Sequence, residues 1–588
     1  MPVTSVRIES GQVLQVSVAS DTSTQKSSAK IWSLNGDSQD VFVRDLDAGQ
    51  STLLGPYINI TEFRIEKTGN VTIAPLGRDF STPYPLSSTI PSSSAVNIDL
   101  SIFTPEEFGA KGDTIGSSTG VMSGGWFSDV THYFTTDDIG KEFYTDTTVR
   151  SVSAVDGAGK CQMSPAISSG STITWLMGTD DTVAMQAALD AARDVCGLDT
   201  TENAGATYGL IRKGGIVQLG AGKSYMVGNS SASYNGGAGK LSALKISRRT
   251  GLRGAGAGFG TSAIVLRPNS YGHVIANNEP GEGTNGYADF ITISNLTIQG
   301  YQDWNPNALD GIYLRVTFNG YDAVDPYNRV LDVMVVRAKR NGFYFRGRGE
   351  LIVERCFPVY CNNYGFHITG LNDYKFISCN SVGNQKTGFR IESAGGGSYV
   401  TCRSFFNGAG GLDNIADCAA WYVSADQMRN GQIIFNGCEG QENRGSSWVI
   451  DNCGMNHFIN CMGQDPGRES GNLVTTGPFP SVISAWHIKG NGACLNSFSN
   501  CYAGPAVAVF NMTNNWGIAT DAVYIEGVDG SGNGPQKNRG DIYTMSPTTQ
   551  GGVTDPGTQY RGGYGAKGGS GTSNGQNTQL KVDGVACT

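Results

Sequence analysis

A repeat of about 23 residues runs through the chain between positions 290 and 527. Each unit holds a small residue followed by an aromatic-x-aliphatic strand, and then a second element that ends in cysteine. A spacing of 23 separates glycines 342, 365 and 388 and also cysteines 356, 379 and 402. Periods of roughly 20–50 residues are typical of units that stack on one another. The strand segments begin at Gly311, Gly342, Gly365, Gly388, Ala420, Ser447 and Ala485.

The strand pattern within each unit indicates the kind of stack. The first and third residues after the small residue are apolar, whereas the second and fourth are mixed. This alternation directs the first set toward a core and the second set outward. Short strands without helical periodicity predict an all-β protein built from coils of a parallel β-helix. The inward row is predicted to contain Phe343, Phe366, Phe389, Trp421, Trp448 and Trp486.

The repeated cysteines are predicted to be buried, reduced thiols. Equivalent side chains on neighbouring coils point the same way, which does not suit a disulfide, and the paired cysteines of zinc sites are absent. Asn384, Asn407 and Asn443 each follow a repeat cysteine by five residues, so we expect a ladder of turn asparagines. The cysteine row contains Cys356, Cys379, Cys402, Cys438, Cys461 and Cys501.

Composition excludes several classes of protein. Glycine accounts for 82 of 588 residues and charged residues for only 16%, which argues against helical bundles and coiled coils. A net charge of −9 argues against duplex DNA or an anionic membrane as the main partner. We find no Sec signal and no long apolar segment, and therefore expect a soluble chain with no membrane span. No metal-binding motif is present, so we expect no cofactor and no required metal.

Several motifs before the repeats resemble the opening of a pectate-lyase-like tailspike of a tailed bacteriophage. They are Phe108-Gly109-Ala110-Lys111-Gly112-Asp113, then Asp180-Asp181-Thr182 at the start of the clearest helix, then Gly214-Gly215-Ile216-Val217 and Leu252-Arg253-Gly254-Ala255-Gly256. The first two motifs usually follow one another directly, but here residues 114–179 separate them, resembling the small β-insert of some tailspikes.

The resemblance implies a right-handed parallel β-helix in a homotrimeric spike that binds and usually cleaves a bacterial surface polysaccharide, such as capsule or O-antigen. It implies a place in the virion tail, assembly in the host cytoplasm and action at the bacterial surface, without nucleic acid or membrane partners. The expected division of the chain has five parts. Residues 1–95 are an N-terminal β-domain that attaches to the particle or another tail fibre, residues 96–113 are the neck and the start of the β-helix domain, and residues 114–179 are the β-insert. Residues 180–527 are the β-helix with its capping helix and the glycan site, and residues 528–588 are a Gly-rich segment.

Two long excursions indicate where a site lies. In short units the small residue that begins the next strand lies nine residues after the cysteine. In two units, 402–420 and 461–485, this distance is far longer. Both leave the stack at the same turn, and long loops in compact domains are usually functional. The outward face of the neighbouring strands combines aromatic and hydrogen-bonding side chains, which suits sugars. Predicted substrate-binding residues are Tyr344, Arg346, His367, Arg390, Tyr422 and His487.

Glu392 and Asp451 are the predicted catalytic pair. They occupy the fourth position of strands two coils apart, a backbone separation of about 9.6 Å. That separation is near the roughly 6.5–9.5 Å between the carboxyl groups of inverting glycosidases, so we expect an endo-glycosidase. The roles of acid and base stay open. Competing loop carboxylates are Asp413, Asp417, Asp426, Asp465 and Glu469.

Two alternative functions remain. A polysaccharide lyase acting on an acidic glycan needs a cation and a base, which the outward face could supply. A non-catalytic adhesin would bind the glycan without shortening it. The residues that could serve a lyase are Arg315, Arg346, Arg348, Arg390, His367 and Tyr422.

Overall fold

The structure is a computed structural model. It describes side chains in 102–195, 215–230, 242–247, 250–256, 261–277, 291–316, 328–410, 414–425, 432–464, 483–490 and 496–503, and elsewhere only the backbone of assigned strands. The chain divides into two compact units, residues 1–97 and 98–588. In the described part, no helix has the length and apolar character needed to cross a membrane.

The first unit is antiparallel β-structure. One sheet contains Val3–Ile8, Thr61–Thr68, Ser28–Leu34 and Asp40–Leu46 in that spatial order. The other contains Ser51–Leu54, Val13–Val18 and Val71–Leu76.

The second unit is dominated by a right-handed parallel β-helix, which confirms the expected fold class. We call its ten-stranded sheet the aromatic sheet, and every pairing within it is parallel. Its strands, in spatial order, are Ser242–Lys245, His273–Ala276, Ile312–Val316, Phe343–Gly347, Phe366–Thr369, Phe389–Glu392, Trp421–Ser424, Trp448–Asp451, Trp486–Lys489 and Val523–Ile525.

The remaining strands of the coils form a second sheet, in which most coils contribute two short strands. A separate pair contains Arg468–Glu469 and Asn472–Leu473. The strands of the second sheet are Ile102–Phe103, Ile216–Gln218, Ser224–Val227, Gly251–Arg253, Ala263–Leu266, Thr292–Gln299, Asn328–Val336, Leu351–Glu354, Phe357–Val359, Tyr374–Ile377, Asn380–Val382, Ser398–Val400, Arg403–Phe405, Ile434–Asn436, Glu439–Gln441, His457–Ile459, Met462–Gln464, Ser497–Ala503, Arg539–Thr544, Gln579–Val582 and Val585–Ala586.

The inward aromatic row forms the predicted ladder. Its six residues are fully buried and pair in register from one strand to the next. Successive rings are stacked, with centroids 3.9–5.0 Å apart. A buried indole N–H needs an acceptor, and Trp421, Trp448 and Trp486 donate to carbonyl oxygens of the second sheet at 2.9–3.0 Å.

The cysteine and asparagine rows also behave as expected. The six repeat cysteines are free and buried. Their thiols donate to backbone carbonyl oxygens, as Cys379 does to Val353 at 3.5 Å. Asn384 donates to the side-chain oxygen of Asn407 at 2.8 Å, and Asn407 donates to that of Asn443 at 3.1 Å. These buried amides satisfy one another along the stack.

A helix at Thr182–Asp194 packs on the β-helix core through Met185, Ala188, Leu189 and Ala192. Just before it, the buried carboxylate of Asp181 accepts hydrogen bonds from the backbone N–H groups of Lys111 and Gly112, at 2.7 and 2.9 Å. The two opening motifs therefore meet in space although residues 114–179 separate them in sequence.

Those intervening residues contain a six-stranded antiparallel barrel. Its core is aromatic and includes Phe127, Phe134, Phe143 and Trp175. Its strands are Ile115–Ser123, Trp126–Ser128, Glu142–Tyr144, Arg150–Val155, Cys161–Ser164 and Gly170–Gly178, and short 3-10 helices lie at Pro105–Phe108 and Thr136–Asp138.

Candidate functional site

The outward fourth positions of the aromatic sheet form one row in register. Glu392 pairs with Ser424, and Ser424 pairs with Asp451. The two carboxylates are therefore two strands apart, about 9.6 Å at the backbone. The complete row contains Arg315, Arg346, Thr369, Glu392, Ser424, Asp451 and Lys489.

The carboxylate of Glu392 contacts two side chains, those of His367 and Arg390. Its Oε2 lies 2.7 Å from Nε2 of His367, and its Oε1 accepts from Nε and Nη2 of Arg390 at 2.9 and 2.7 Å. Burial alone would raise the pKa of Glu392, but the hydrogen bonds from His367 and Arg390 outweigh it and lower that pKa to about 2. Glu392 is therefore ionised at neutral pH and is unsuited to act as a general acid.

His367 is oriented by this contact. An ionised carboxylate only accepts hydrogen bonds, so Nε2 of His367 carries the hydrogen. No described residue forms a hydrogen bond with its Nδ1, which in the neutral ring keeps a lone pair. The side chain is 16% exposed, and its ring stacks on Tyr344 with centroids 4.5 Å apart. The arrangement is that of a base oriented by a carboxylate.

Arg390 links Glu392 to a second carboxylate. Its Nη1 donates to Oδ1 of Asp417 at 2.7 Å and also to the hydroxyl of Tyr364. The guanidinium lies 4.7 Å from the ring centroid of Tyr364 and 5.3 Å from that of Tyr422. Arg390 is thus fixed by two anions and two rings, and a planar five-donor group suits this junction.

Asp417 reaches the sheet on a short helix, Ile415–Cys418, within the first long excursion. Its Oδ1 accepts from the Tyr364 hydroxyl at 2.6 Å, and its Oδ2 lies 3.0 Å from Nζ of Lys386. Burial and this hydrogen bond raise the pKa of Tyr364, so its hydroxyl stays protonated. The excursion predicted to flank the site therefore places a carboxylate beside Arg390.

Asp451 has a different environment. Its Oδ2 accepts from the hydroxyl of Tyr422 at 2.7 Å and lies 3.3 Å from Nζ of Lys489. Burial first and Asp451 second raise the pKa of Tyr422, which keeps this phenol protonated. Asp451 has no guanidinium contact in the described part of the chain, so it is less firmly held than Glu392.

Aromatic rings continue the outward face beyond His367. His273 stacks on Tyr313 at 4.5 Å, and Tyr313 lies 5.3 Å from Tyr344. The guanidinium of Arg340 lies 5.5 Å from the Tyr344 ring. Tyr344 is half-buried, and Arg346 in the adjacent row is exposed.

Part of the outward face that we expected to be open is covered by other residues. Tyr422 is 8% exposed, Val449 is fully buried and His487 is 2% exposed. Tyr422 and Val449 pack with Ile415 and Ala416 of the short helix, because the excursion folds back over these two side chains. The expectation that Tyr422 and His487 lie on an open surface is therefore wrong, whereas Tyr344, Arg346, His367 and Arg390 retain exposed surface.

Three competing carboxylates, Asp413, Asp426 and Asp465, lie outside the described residues, as does the side chain of Glu469. Sequence reasoning missed Tyr364 and Lys386. The repeat gives no signal at Tyr364, because neighbouring coils place Asn341 and Thr387 at the equivalent position before the glycine.

No protein-family model matches the chain, and no curated protein matches it. The solved structures similar to it include the A-module of the mannuronan C-5 epimerase AlgE4 of Azotobacter vinelandii. The identity is 16%, with 62% of this chain and 90% of that chain covered and a TM-score of 0.36.

Phage tailspikes are also among the similar structures. Tailspike protein 2 of the Escherichia coli O157:H7 bacteriophage CAB120 is 13% identical, with 81% of this chain and 53% of that chain covered and a TM-score of 0.36. The present chain thus spans about half the length of that tailspike. The tailspike gp49 of the Acinetobacter baumannii bacteriophage Fri1, a capsular polysaccharide depolymerase, is 11% identical, with 76% and 72% covered and a TM-score of 0.22. The assignment of a parallel β-helix rests on the strand pairings of this chain itself.

Proposed function

We propose that this chain is a tailspike-like protein that binds and depolymerises a bacterial surface polysaccharide on the outward face of its aromatic sheet. The observation that carries the proposal is the row from Glu392 to Asp451, in which one carboxylate is held ionised beside His367 and the other is bound by a phenol. Tyr344, His367, Arg346 and Arg390 retain exposed surface on the same face. Sugar C–H faces pack on aromatic rings and sugar hydroxyls need polar partners, so the face suits a glycan.

The favoured chemistry is endo-hydrolysis. A base takes a proton from water, which attacks the anomeric carbon, while an acid donates a proton to the departing glycosidic oxygen. Glu392 supplies the basic side, because it stays ionised and lies two strands from Asp451, and its contact with His367 holds it in place. Asp451 is assigned the proton-donating side because it is the other carboxylate of the row and Glu392 stays ionised.

β-Elimination is the second candidate, and it is favoured by the ion pairs that two carboxylates form with Arg390. Glu392 and Asp417 are both engaged by Arg390, which leaves fewer groups able to donate a proton. In elimination His367 would remove the proton next to a sugar carboxylate, and a cation such as Arg346 would stabilise the charge that develops. The bond from the neighbouring carbon to the glycosidic oxygen would then break, and that oxygen would take a proton from solvent. This chemistry produces an unsaturated sugar, whereas hydrolysis does not.

Assembly into a homotrimer, attachment through residues 1–95 and a place in the virion tail belong to the same proposal. We propose the boundaries within the chain on the same basis: a neck at 96–113, a barrel at 114–179, a β-helix at 180–527 and a Gly-rich segment at 528–588. Support comes from the contact of Asp181 with the backbone of Lys111 and Gly112, which joins the two motifs that carry the tailspike resemblance.

Product analysis on purified capsules and O-antigens tests this function. We expect the wild-type chain to shorten one of them, with new reducing ends and, for hydrolysis, no gain in near-ultraviolet absorbance. Glu392→Gln and Asp451→Asn should each lose at least about a hundredfold in rate. Glu442→Gln, just after the strand Glu439–Gln441 of the second sheet, is the matched control and should keep full activity. Full activity in both site variants would refute the assignment, and binding without any fall in polymer mass would indicate an adhesin.

A further inference from the structure

The outward face carries two arginines in direct register. Arg315 pairs with Arg346 on the neighbouring parallel strand, so their backbones are about 4.8 Å apart and their side chains share one face. Like charges directly opposite one another destabilise a sheet. Equivalent positions on the next strands hold Thr369, Glu392 and Ser424, so the fold does not require a cation here.

The two positions differ in how they are fixed. Asn277 receives a hydrogen bond from the backbone N–H of Arg315 and donates one to its carbonyl oxygen, at 2.8 and 3.1 Å. The backbone of Arg315 is therefore firmly placed. Arg346 is exposed, as is Arg348 two residues later. Neither forms an ion pair with any residue that the structure describes.

Rings and the proposed catalytic groups lie close to these cations. Tyr344 is two residues from Arg346 on the same strand and presents a half-buried ring. Arg346 and Glu392 lie in one row with Thr369 between them, about 9.6 Å apart at the backbone. A short oligosaccharide along this row would reach both.

We propose that Arg346 and Arg348 form a subsite for a sugar carboxylate, and that the polymer bound on this face is an acidic polysaccharide. Guanidinium groups match carboxylates through paired N–H donors, and Arg346 and Arg348 present theirs to solvent on the face that carries Glu392. The inference rests on the proposed function and adds the class of substrate and the place where its charge binds.

The test uses the Asp451→Asn chain, which is expected to bind without cleaving, and the same panel of purified capsules and O-antigens. The polymer that binds is divided, and its carboxyl groups are reduced to alcohols in one half. We expect reduction to weaken binding by about tenfold or more. Adding Arg346→Gln and Arg348→Gln should weaken binding to the native polymer by a similar factor and make reduction nearly without effect. Lys375→Gln, an exposed cation on the second sheet, is the control and should bind like the parent.

Other results would overturn the inference. The inference is wrong if the chain binds a neutral polymer, binds a polymer whose only acid is phosphate or sulfate, or binds no acidic polymer of the panel. It is also wrong if the arginine double variant binds the polymer as tightly as its parent. Cleavage of a neutral polymer would refute the acidic subsite and leave the proposed depolymerase intact. Conversely, binding that depends on carboxylate and arginine, without any cleavage by the wild-type chain, would support the subsite and refute the depolymerase.

Discussion

Nε2 of His367 lies 2.7 Å from Oε2 of Glu392 across two neighbouring strands of the aromatic sheet. The same carboxyl group accepts from Arg390 through its other oxygen. Glu392 therefore serves both to orient a ring and to balance a guanidinium. This double role explains why the carboxylate that sequence spacing marks as an acid or base is held ionised.

Glu392 should make the stability of the protein sensitive to acid. Its folded-state pKa of about 2 is below the ordinary value of 4.5, so its contacts contribute stability above about pH 4.5. That contribution is lost as the pH falls through about 2. We expect the melting temperature of the wild-type chain to fall over this range, and that of Glu392→Gln to fall less. Equal acid profiles would show that Glu392 is not paired as described.

Arg390→Lys should disturb the site beyond the loss of one contact. An ammonium cannot reproduce the guanidinium contacts with both Glu392 and Asp417. The pKa of Glu392 should rise toward its ordinary range, and the acidic limb of the pH–rate profile should shift to higher pH. We expect a loss of activity of about tenfold to a hundredfold. An unchanged acidic limb in depolymerisation assays would contradict this account.

Asp417 should act by positioning, since it contacts Tyr364, Lys386 and Arg390. Asp417→Asn keeps the shape of the side chain but removes the charge that fixes Arg390. We expect the rate to fall by about tenfold, less than for Glu392→Gln, with a shifted pH profile. If the loss instead matches that of Asp451→Asn with an unshifted profile, Asp417 takes part in proton transfer itself.

Asn407→Ala should destabilise the coil stack without altering the site. Asn407 is buried and its amide bonds to Asn384, Asn443 and Ser404. Removing it leaves these partners unsatisfied, at a cost of about 1–3 kcal/mol. The melting temperature measures the change. Asn436→Ala, at an exposed position on a neighbouring coil, is the control, and an equal effect there would argue against the ladder.

The repeat cysteines should resist alkylation in the folded chain. Each is free and buried, so a reagent in solution cannot reach its sulfur while the chain is folded. We expect no labelling of Cys356, Cys379 or Cys402 by iodoacetamide until the protein is unfolded, measured by mass spectrometry of peptides. Rapid labelling under native conditions would show that the row is accessible.

The sequence by itself determined the coil architecture, because the evidence for it is local and repeated. Alternation within each short strand identifies Phe343, Phe366 and Phe389 as an inward row, and the common spacing places them in register. The same reasoning put Glu392 and Asp451 on one outward row two strands apart. Periodicity fixes direction and register without any knowledge of distant contacts.

Only the tertiary structure decided which outward residues are covered and which charges meet. The short helix Ile415–Cys418 covers Tyr422 and brings Asp417 to Arg390, and no periodic signal reports where an excursion folds back. His487 matches the outward pattern yet is buried. Strand periodicity states which way a side chain leaves the backbone, whereas exposure and pKa depend on what packs above it, and that is set by the long-range path of the chain.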